Sequence, residues 1–362
     1  MKTVQPAPWL EAIPEYVAGR SKEEIAREYG AANPIKLASN ENALGPSPKA
    51  LAAISRAMQD IHLYPDPDSR SLRAAAAGFF GCGQERIIVG NGSDEIIDFL
   101  CRAYLTREDE VIIPSCTFSY YRIASLACGA KVVPTAMQDH RIDARAILAA
   151  VSPRTKIIFM ANPNNPTGTY LKADELLSFA EAVPPQVMLV VDEAYGAFAR
   201  SRDFLSAIRL TKKHVNLVTV HTLSKSHGLA GLRVGFGIAA GPVMDTLLRI
   251  KPPFNVNILA QKAGEAALSD DAFLEQTLAN TWESLDFLYA SFRRMGLEYV
   301  PSQTNFVLVK IGSRARTVYG ELLKKGIITR YMANIGLDDF IRVSVGLPVE
   351  NQAFIAALSE AL

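Results

Sequence analysis

Cysteine is scarce in this sequence. Its four residues, Cys82, Cys101, Cys116 and Cys128, lie 19, 15 and 12 positions apart. That is too sparse for a disulfide scaffold and lacks the close pairs of a zinc site, so reduced thiols are expected. The five histidines share no metal-like spacing either, and no metal ligand is assigned. An excess of one charge is missing as well: 38 Lys and Arg stand against 37 Asp and Glu, a net charge of +1. No overall basic field exists to hold nucleic acid or an anionic membrane surface, although a local anion site is compatible with the balance. No apolar run approaches the length of a membrane span, and the opening MKTVQPAPWLEAIPEY has one early lysine and no apolar signal core. The expectation is a soluble cytoplasmic protein. What is present is an ordinary globular composition, 49% hydrophobic and 21% charged. At 362 residues it predicts two domains, or one large α/β domain with an annex.

The clearest rhythm is a short β-rich apolar run, a turn, and a helical pattern, which implies a mostly parallel α/β sheet. Buried strands are expected at Arg86–Val89, Glu110–Ile113, Lys131–Pro134, Lys156–Ala161, Val187–Val191, Asn216–Thr222 and Arg233–Ala239. Most are continuously apolar, as strands covered by helices on both faces are. Helical spacing occupies Asp94–Tyr104, Ser119–Cys128, Ala144–Val151 and Lys172–Ala182. Beyond Lys251-Pro252-Pro253, two long helices are expected at Ile258–Leu268 and Asp271–Met295. A smaller α/β unit follows, with Asn305–Val309, a helix through Ala315–Lys325, a strand at Phe340–Val345 and a C-terminal helix. The division is an arm over 1–44, a large domain over 45–255 and a small domain over 256–362. The arm, rich in proline, reads as partly extended and as packing on the small domain and a partner subunit.

Three polar segments each follow a core strand, where ligands collect in open α/β sheets. They are Asn162–Gly168 (NPNNPTG), Asp192–Tyr195 (DEAY) and Thr222–Lys225 (TLSK). A lysine at the mouth of a sheet can form an imine with a carbonyl cofactor. Pyridoxal 5′-phosphate needs such a lysine, a carboxylate for its ring nitrogen, donors to its phenolate oxygen and a phosphate cradle. Lys225 and Asp192 supply the first two, and Asn165 and Tyr195 are candidate donors. Gly90-Asn91-Gly92-Ser93-Asp94-Glu95 leads from a strand into a helix and suits an anion, with Ser224 and Arg233 adding contacts. Gly92 and Ser93 rank above Asp94, whose carboxylate suits a helix cap better than a dianion.

Together these residues resemble the pyridoxal-phosphate-dependent aminotransferases of fold type I, particularly the histidinol-phosphate branch, over nearly the whole chain. The most specific piece is Thr222–Gly235, TLSKSHGLAGLRVG, beside the NPNNPTG and DEAY segments. The resemblance implies a large domain with a mostly parallel sheet flanked by helices, plus a smaller α/β domain. It implies Lys225 as the Schiff-base and proton-transfer residue, Asp192 on the ring nitrogen, and Asn165 and Tyr195 on the phenolate oxygen. Phe118 falls where the family stacks an aromatic on the ring. Tyr64, in Tyr64-Pro65-Asp66, is similar to a tyrosine that reaches the phosphate from the other subunit, which implies a homodimer. Arg330 and Arg342 are implied to bind the substrate anion, and Asn40, in Ser39-Asn40-Glu41-Asn42, to sit near the site. Tyr16 resembles part of the branch's PYxPG arm, with Glu15 and Ala18 departing from it. The implied reaction passes an amino group from L-histidinol phosphate to 2-oxoglutarate, giving glutamate. Aromatic amino-acid aminotransferases and a threonine-phosphate decarboxylase share the same cofactor residues.

Each residue also has a plainer reading. A lysine after a strand is ordinarily solvated, NPNNPTG is rich in turn formers, and Tyr195 and Phe118 suit a core. Arg330 and Arg342 suit a surface, and Tyr64 and Tyr16 suit packing in proline-containing loops. Independent segments that fit one ligand favour the joint reading. Two other functions have weaker support in the sequence. Gly235–Gly241, GFGIAAG, imitates a dinucleotide fingerprint, but its third glycine is one place late and Pro242 follows, so it reads as a strand. A non-catalytic binding module is disfavoured by the retained Lys225.

Overall fold

The computed structural model describes residues 4–13 and 19–362. Its main sheet has seven strands in the order Ile87–Asn91, Val234–Ile238, Leu217–Thr222, Met188–Asp192, Thr155–Ala161, Glu110–Pro114, Lys131–Thr135. All seven lie within a residue or two of the expected positions. Successive residues of a strand serve opposite layers, which is why the runs are continuously apolar. Phe159 and Val190 join a core with Ile96, Leu100 and Leu247 from the helices Ser93–Tyr104 and Gly241–Ile250. Their neighbours Ile158, Met160, Leu189 and Val191 join another with Leu176 and Phe179 from the helix Ala173–Ala182.

One strand departs from the parallel expectation. Val234–Ile238 runs antiparallel to both Ile87–Asn91 and Leu217–Thr222. Its N-terminal end therefore lies at the sheet edge where the parallel strands have their C-terminal ends. Arg233, the residue before it, joins that edge although it precedes its strand.

A second sheet is antiparallel, in the order Tyr299–Val300, Phe306–Lys310, Phe340–Ser344, Arg330–Tyr331. It shares a core with the helices Asp271–Arg294, Ala315–Lys324 and Pro348–Ala361. Ile35–Lys36 pairs in parallel with Ile327–Ile328, and the Ser344 amide donates to the Leu37 carbonyl at 2.9 Å. These bonds hold residues 35–40 against the second sheet.

Within the arm read as partly extended, Lys22–Tyr29 is an α-helix. Ser21 and Glu24 cap it reciprocally, Gly30 ends it in the left-handed region at φ 70°, and Ile25 packs against Leu323 and Ile328. The Ser-x-x-Glu pattern was available in the sequence. Farther upstream, Trp9 donates to the Ala127 carbonyl at 3.1 Å beneath the Arg107 guanidinium.

Candidate active site

A cleft of about 320 Å³ opens where the strands of the main sheet end and residues 38–41 and the second sheet close over them. Lys225, Asp192, Tyr195, Asn165, Phe118, Ser93, Asp94, Ser224, Arg233, Asn40, Arg330 and Arg342 all line it. Lys225 stands three residues beyond the strand Leu217–Thr222, in a turn where the Ser224 amide donates to Thr222 Oγ1 at 3.1 Å. Its Nζ donates to the Ser39 carbonyl at 3.1 Å and lies 5.9 Å from the centre of the Tyr195 ring.

Asp192 ends its strand with only 5% of its surface exposed. Its Oδ2 accepts from the Tyr121 hydroxyl at 2.7 Å and its Oδ1 from the Ala194 amide at 2.9 Å. Burial pushes the carboxyl up to about 6, and the two donors and the Lys225 charge oppose that shift. Among the described residues no salt bridge reaches it, so a buried carboxylate faces the cleft with no cation in contact. Glu193 points the other way: its oxygens accept from the Ser206 hydroxyl and the Ala207 amide, each at 2.6 Å. Burial pushes its carboxyl up to about 7.

Asn165 Oδ1 accepts from Arg342 Nη1 at 2.5 Å, which leaves its amide nitrogen as the donor toward the cleft. Arg342 Nη2 donates to the Ala38 carbonyl at 2.6 Å, and its guanidinium lies 5.2 Å from the centre of the Phe306 ring. Arg330 is its direct cross-strand partner. Asn40, buried and at φ 56°, donates from Nδ2 to the Tyr195 hydroxyl at 2.8 Å. Because the Tyr195 oxygen accepts from Asn40, its own proton remains free to donate elsewhere. Ser344 fixes Asn40 in turn: its hydroxyl accepts from the Asn40 amide at 2.9 Å and donates to Oδ1 at 2.8 Å.

At the other end of the cleft, Gly92 caps the helix Ser93–Tyr104 at φ 83°, and no side chain caps that helix start. A Cβ on Gly92 would come within 2.4 Å of Arg233 Nη2, and one on Gly235 within 2.3 Å of the Ser93 nitrogen. The glycines are therefore demanded by close packing of helix, strand and guanidinium, which also disposes of the dinucleotide reading of Gly235–Gly241. Asp94 does not cap the helix as expected. It lies one position inside it, and its Oδ2 pairs with Arg233 Nη2 at 3.1 Å. Arg233 Nη1 reaches the Ala230 carbonyl at 3.3 Å and Ser224 Oγ at 3.5 Å.

Two contributors are expected to serve a partner subunit's site. Tyr64 is 82% exposed and stacks on Phe254 with ring centres 4.6 Å apart, and Tyr16 lies outside the described residues. Other residues were missed. Tyr121 lies in the first turn of the helix Tyr120–Ala127, three residues after Phe118. Ser344 follows Arg342 by two on one strand, hence on the same face. Ser39 and Ala38 act through backbone carbonyls, which no side-chain pattern reveals.

The family profile described as aminotransferase class I and II matches residues 32–358. The chain is 42% identical to the histidinol-phosphate aminotransferase of Moorella thermoacetica, over 97% of this chain and 91% of that one. It is 43% identical to histidinol-phosphate aminotransferase 2 of Carboxydothermus hydrogenoformans, over 98% of both. Among solved structures, the histidinol-phosphate aminotransferase of Sinorhizobium meliloti in complex with pyridoxal 5′-phosphate superposes with a TM-score of 0.91 at 29% identity, covering 99% of this chain and 98% of that one. With a profile spanning most of its length and relatives above 40% identity along nearly all of it, this chain belongs to the class I and II aminotransferases.

Proposed function

We propose that the chain is a homodimeric, pyridoxal 5′-phosphate-dependent aminotransferase that moves the amino group of L-histidinol phosphate to 2-oxoglutarate. The observation that carries this reading is one cleft with three chemically distinct stations. An amine and a buried carboxylate stand together on the strand ends, a glycine-capped helix start with Arg233 lies at one end, and paired guanidiniums lie at the other. The buried Asp192 without a contacting cation fits a cationic ring nitrogen, and the uncapped helix start fits a phosphate. The names carried by the relatives supply the substrate.

When bound, pyridoxal 5′-phosphate supplies a carbonyl that condenses with amines and a cationic ring that withdraws electrons from the substrate α-carbon. Lys225 would provide the amine that holds the cofactor's carbonyl and the group that moves a proton at the substrate α-carbon. Asp192 keeps the ring nitrogen protonated. The Asn165 amide and the Tyr195 hydroxyl, each with its other side engaged by Arg342 or Asn40, donate to the phenolate oxygen. Phe118 stacks on the ring; lacking a hydroxyl, it contributes contact area alone. Gly92, Ser93, Ser224 and Arg233 hold the phosphate, and Asp94 orients Arg233. Arg330 and Arg342 grip the phosphate of the amino donor or the distal carboxylate of glutamate, and their forked geometry suits both anions.

The homodimer is proposed from the surface. Leu51, Met58, Ile61, Leu63, Tyr64 and Phe254 are exposed apolar side chains, five of them within fourteen residues of one another. These exposed side chains suit a subunit contact that carries Tyr64 to the partner's phosphate site, with Tyr16 reaching the partner's substrate. A cytoplasmic setting accords with four unpaired thiols.

The test is the half-reaction. Pyridoxal-phosphate-loaded protein is mixed, without keto acid, with L-histidinol phosphate or with L-phenylalanine. Loss of the lysine-bound absorption with histidinol phosphate, restored by 2-oxoglutarate, is expected. Conversion by phenylalanine alone reassigns the enzyme to aromatic substrates, and release of carbon dioxide from threonine phosphate reassigns it to decarboxylation.

A further inference from the structure

The carboxylate proposed to meet the ring nitrogen is aligned by a residue outside the cofactor set. We infer that Tyr121 is a positioning residue for Asp192: its buried hydroxyl fixes the carboxylate's orientation and favours its ionised form before the cofactor arrives. The inference rests on the pyridoxal-phosphate reading of the cleft and deepens it.

The geometry leaves Tyr121 little else to do. The residue has no exposed surface, its ring stacks on Phe159 at 5.1 Å with an interplanar angle of 3°, and Phe118 meets it edge-on at 5.5 Å. A phenol locked in this way points its hydroxyl at one acceptor, Asp192 Oδ2, at 2.7 Å. The second oxygen is held by the Ala194 amide, so each carboxylate oxygen has one fixed donor and keeps lone pairs for a ligand. Phe118 lines the cleft two residues before the helix Tyr120–Ala127, so one segment carries both the proposed stacking residue and the donor to Asp192.

The electrostatics point the same way. Burial is the largest influence on Asp192 and favours the neutral acid, and Asp94 adds to it; Tyr121, the Ala194 amide and Lys225 oppose it. Tyr195 and Asp94 face Tyr121, whose phenol is held well above its usual range by burial and by Asp192, so it donates and does not ionise. Glu193, next in sequence, turns away to Ser206 and Ala207. Of the groups favouring the anion, Tyr121 is the one whose donor a side-chain replacement removes without altering charge.

The experiment measures the dissociation constant of pyridoxal 5′-phosphate against pH, together with the visible spectrum of the loaded protein, for four full-length chains. These are wild type, Tyr121→Phe, a chain carrying a fluorinated tyrosine at 121, and Ser125→Ala. The last deletes a 2.7 Å bond to the Tyr121 carbonyl and leaves the phenol in place. Binding to wild type weakens as pH falls through about 6, because the cofactor selects ionised Asp192. Tyr121→Phe moves that midpoint up by about one pH unit, which weakens binding roughly tenfold below the wild-type midpoint and about twofold near pH 7. The fluorinated phenol, a stronger donor of the same shape, moves it down, and Ser125→Ala leaves it in place. Opposite shifts from two variants of the same packing are not produced by a merely structural role. An unchanged midpoint in Tyr121→Phe, or an equal shift in Ser125→Ala, overturns the inference while the cofactor reading stands. A wild-type chain that binds no pyridoxal 5′-phosphate at any pH overturns both.

Discussion

Arg330 and Arg342 are direct partners across two antiparallel strands, so both guanidiniums stand on one face of the second sheet and line one end of the cleft. Like charges placed opposite one another destabilise a sheet, and both arginines are proposed to meet the substrate anion. They are not equivalent. Arg342 also holds Asn165 and the Ala38 carbonyl. Arg330→Met is therefore expected to raise KM for both histidinol phosphate and glutamate, lowering kcat/KM roughly tenfold to a hundredfold with kcat less affected. Arg342→Met is expected to lower kcat as well, since Asn165 loses its orientation. Steady-state kinetics of the two variants check the split.

Gly92→Ala places a methyl group at φ 83° and within 2.4 Å of Arg233 Nη2. The backbone strain costs about 1–2 kcal/mol, and the guanidinium must leave the helix start. Cofactor affinity, measured by equilibrium dialysis, is expected to fall on the order of tenfold, with the spectrum of the remaining bound cofactor unchanged.

Glu193 is buried, and its carboxyl is raised to about 7 in the folded protein, against about 4.3 for an exposed glutamate. A raised carboxyl contributes stability below its unfolded value and loses it as pH rises through its folded value. Relative to Glu193→Gln, the cofactor-free wild type should lose up to roughly 3 kcal/mol between about pH 4 and pH 7. Denaturant melts of both proteins across that range check the slope.

The proposed contribution of Tyr64 from a partner subunit predicts complementation. Lys225→Ala chains lack the amine, and Tyr64→Ala chains lack a phosphate contact. Dissociated and reassociated together, they form hybrids in which one site takes Lys225 from one chain and Tyr64 from the other. That site should bind cofactor with wild-type affinity. Titration of the mixture checks it, and sedimentation of the single variants reports whether dimers form.

Much of this was legible in the sequence because burial on both faces writes itself as uninterrupted apolar runs. Leu189, Val190 and Val191 serve alternating layers and leave no polar gap. The polar segment after each run then fell where ligands collect, which placed Asp192, Asn165 and Lys225 in one cleft. Strand direction was not legible, since Val234–Ile238 has the same apolar pattern whichever way it runs, and its reversal is what brings Arg233 to the cleft. The partners of the site residues were hidden for a different reason. Tyr121, Ser344 and Asn305 act over long separations in sequence, Asn305 for example through a 3.1 Å bond to the Asn40 carbonyl. The helix Lys22–Tyr29 was obscured by the prolines around it despite its capping pair.

Lys225 is proposed as the residue that holds the cofactor. Pyridoxal-phosphate-loaded protein is reduced with borohydride, digested, and its peptides are identified by mass spectrometry. A stable pyridoxyl-phosphate adduct is expected on Lys225 and is lost in Lys225→Ala. An adduct confined to any other lysine, or full labelling that persists in Lys225→Ala, contradicts it.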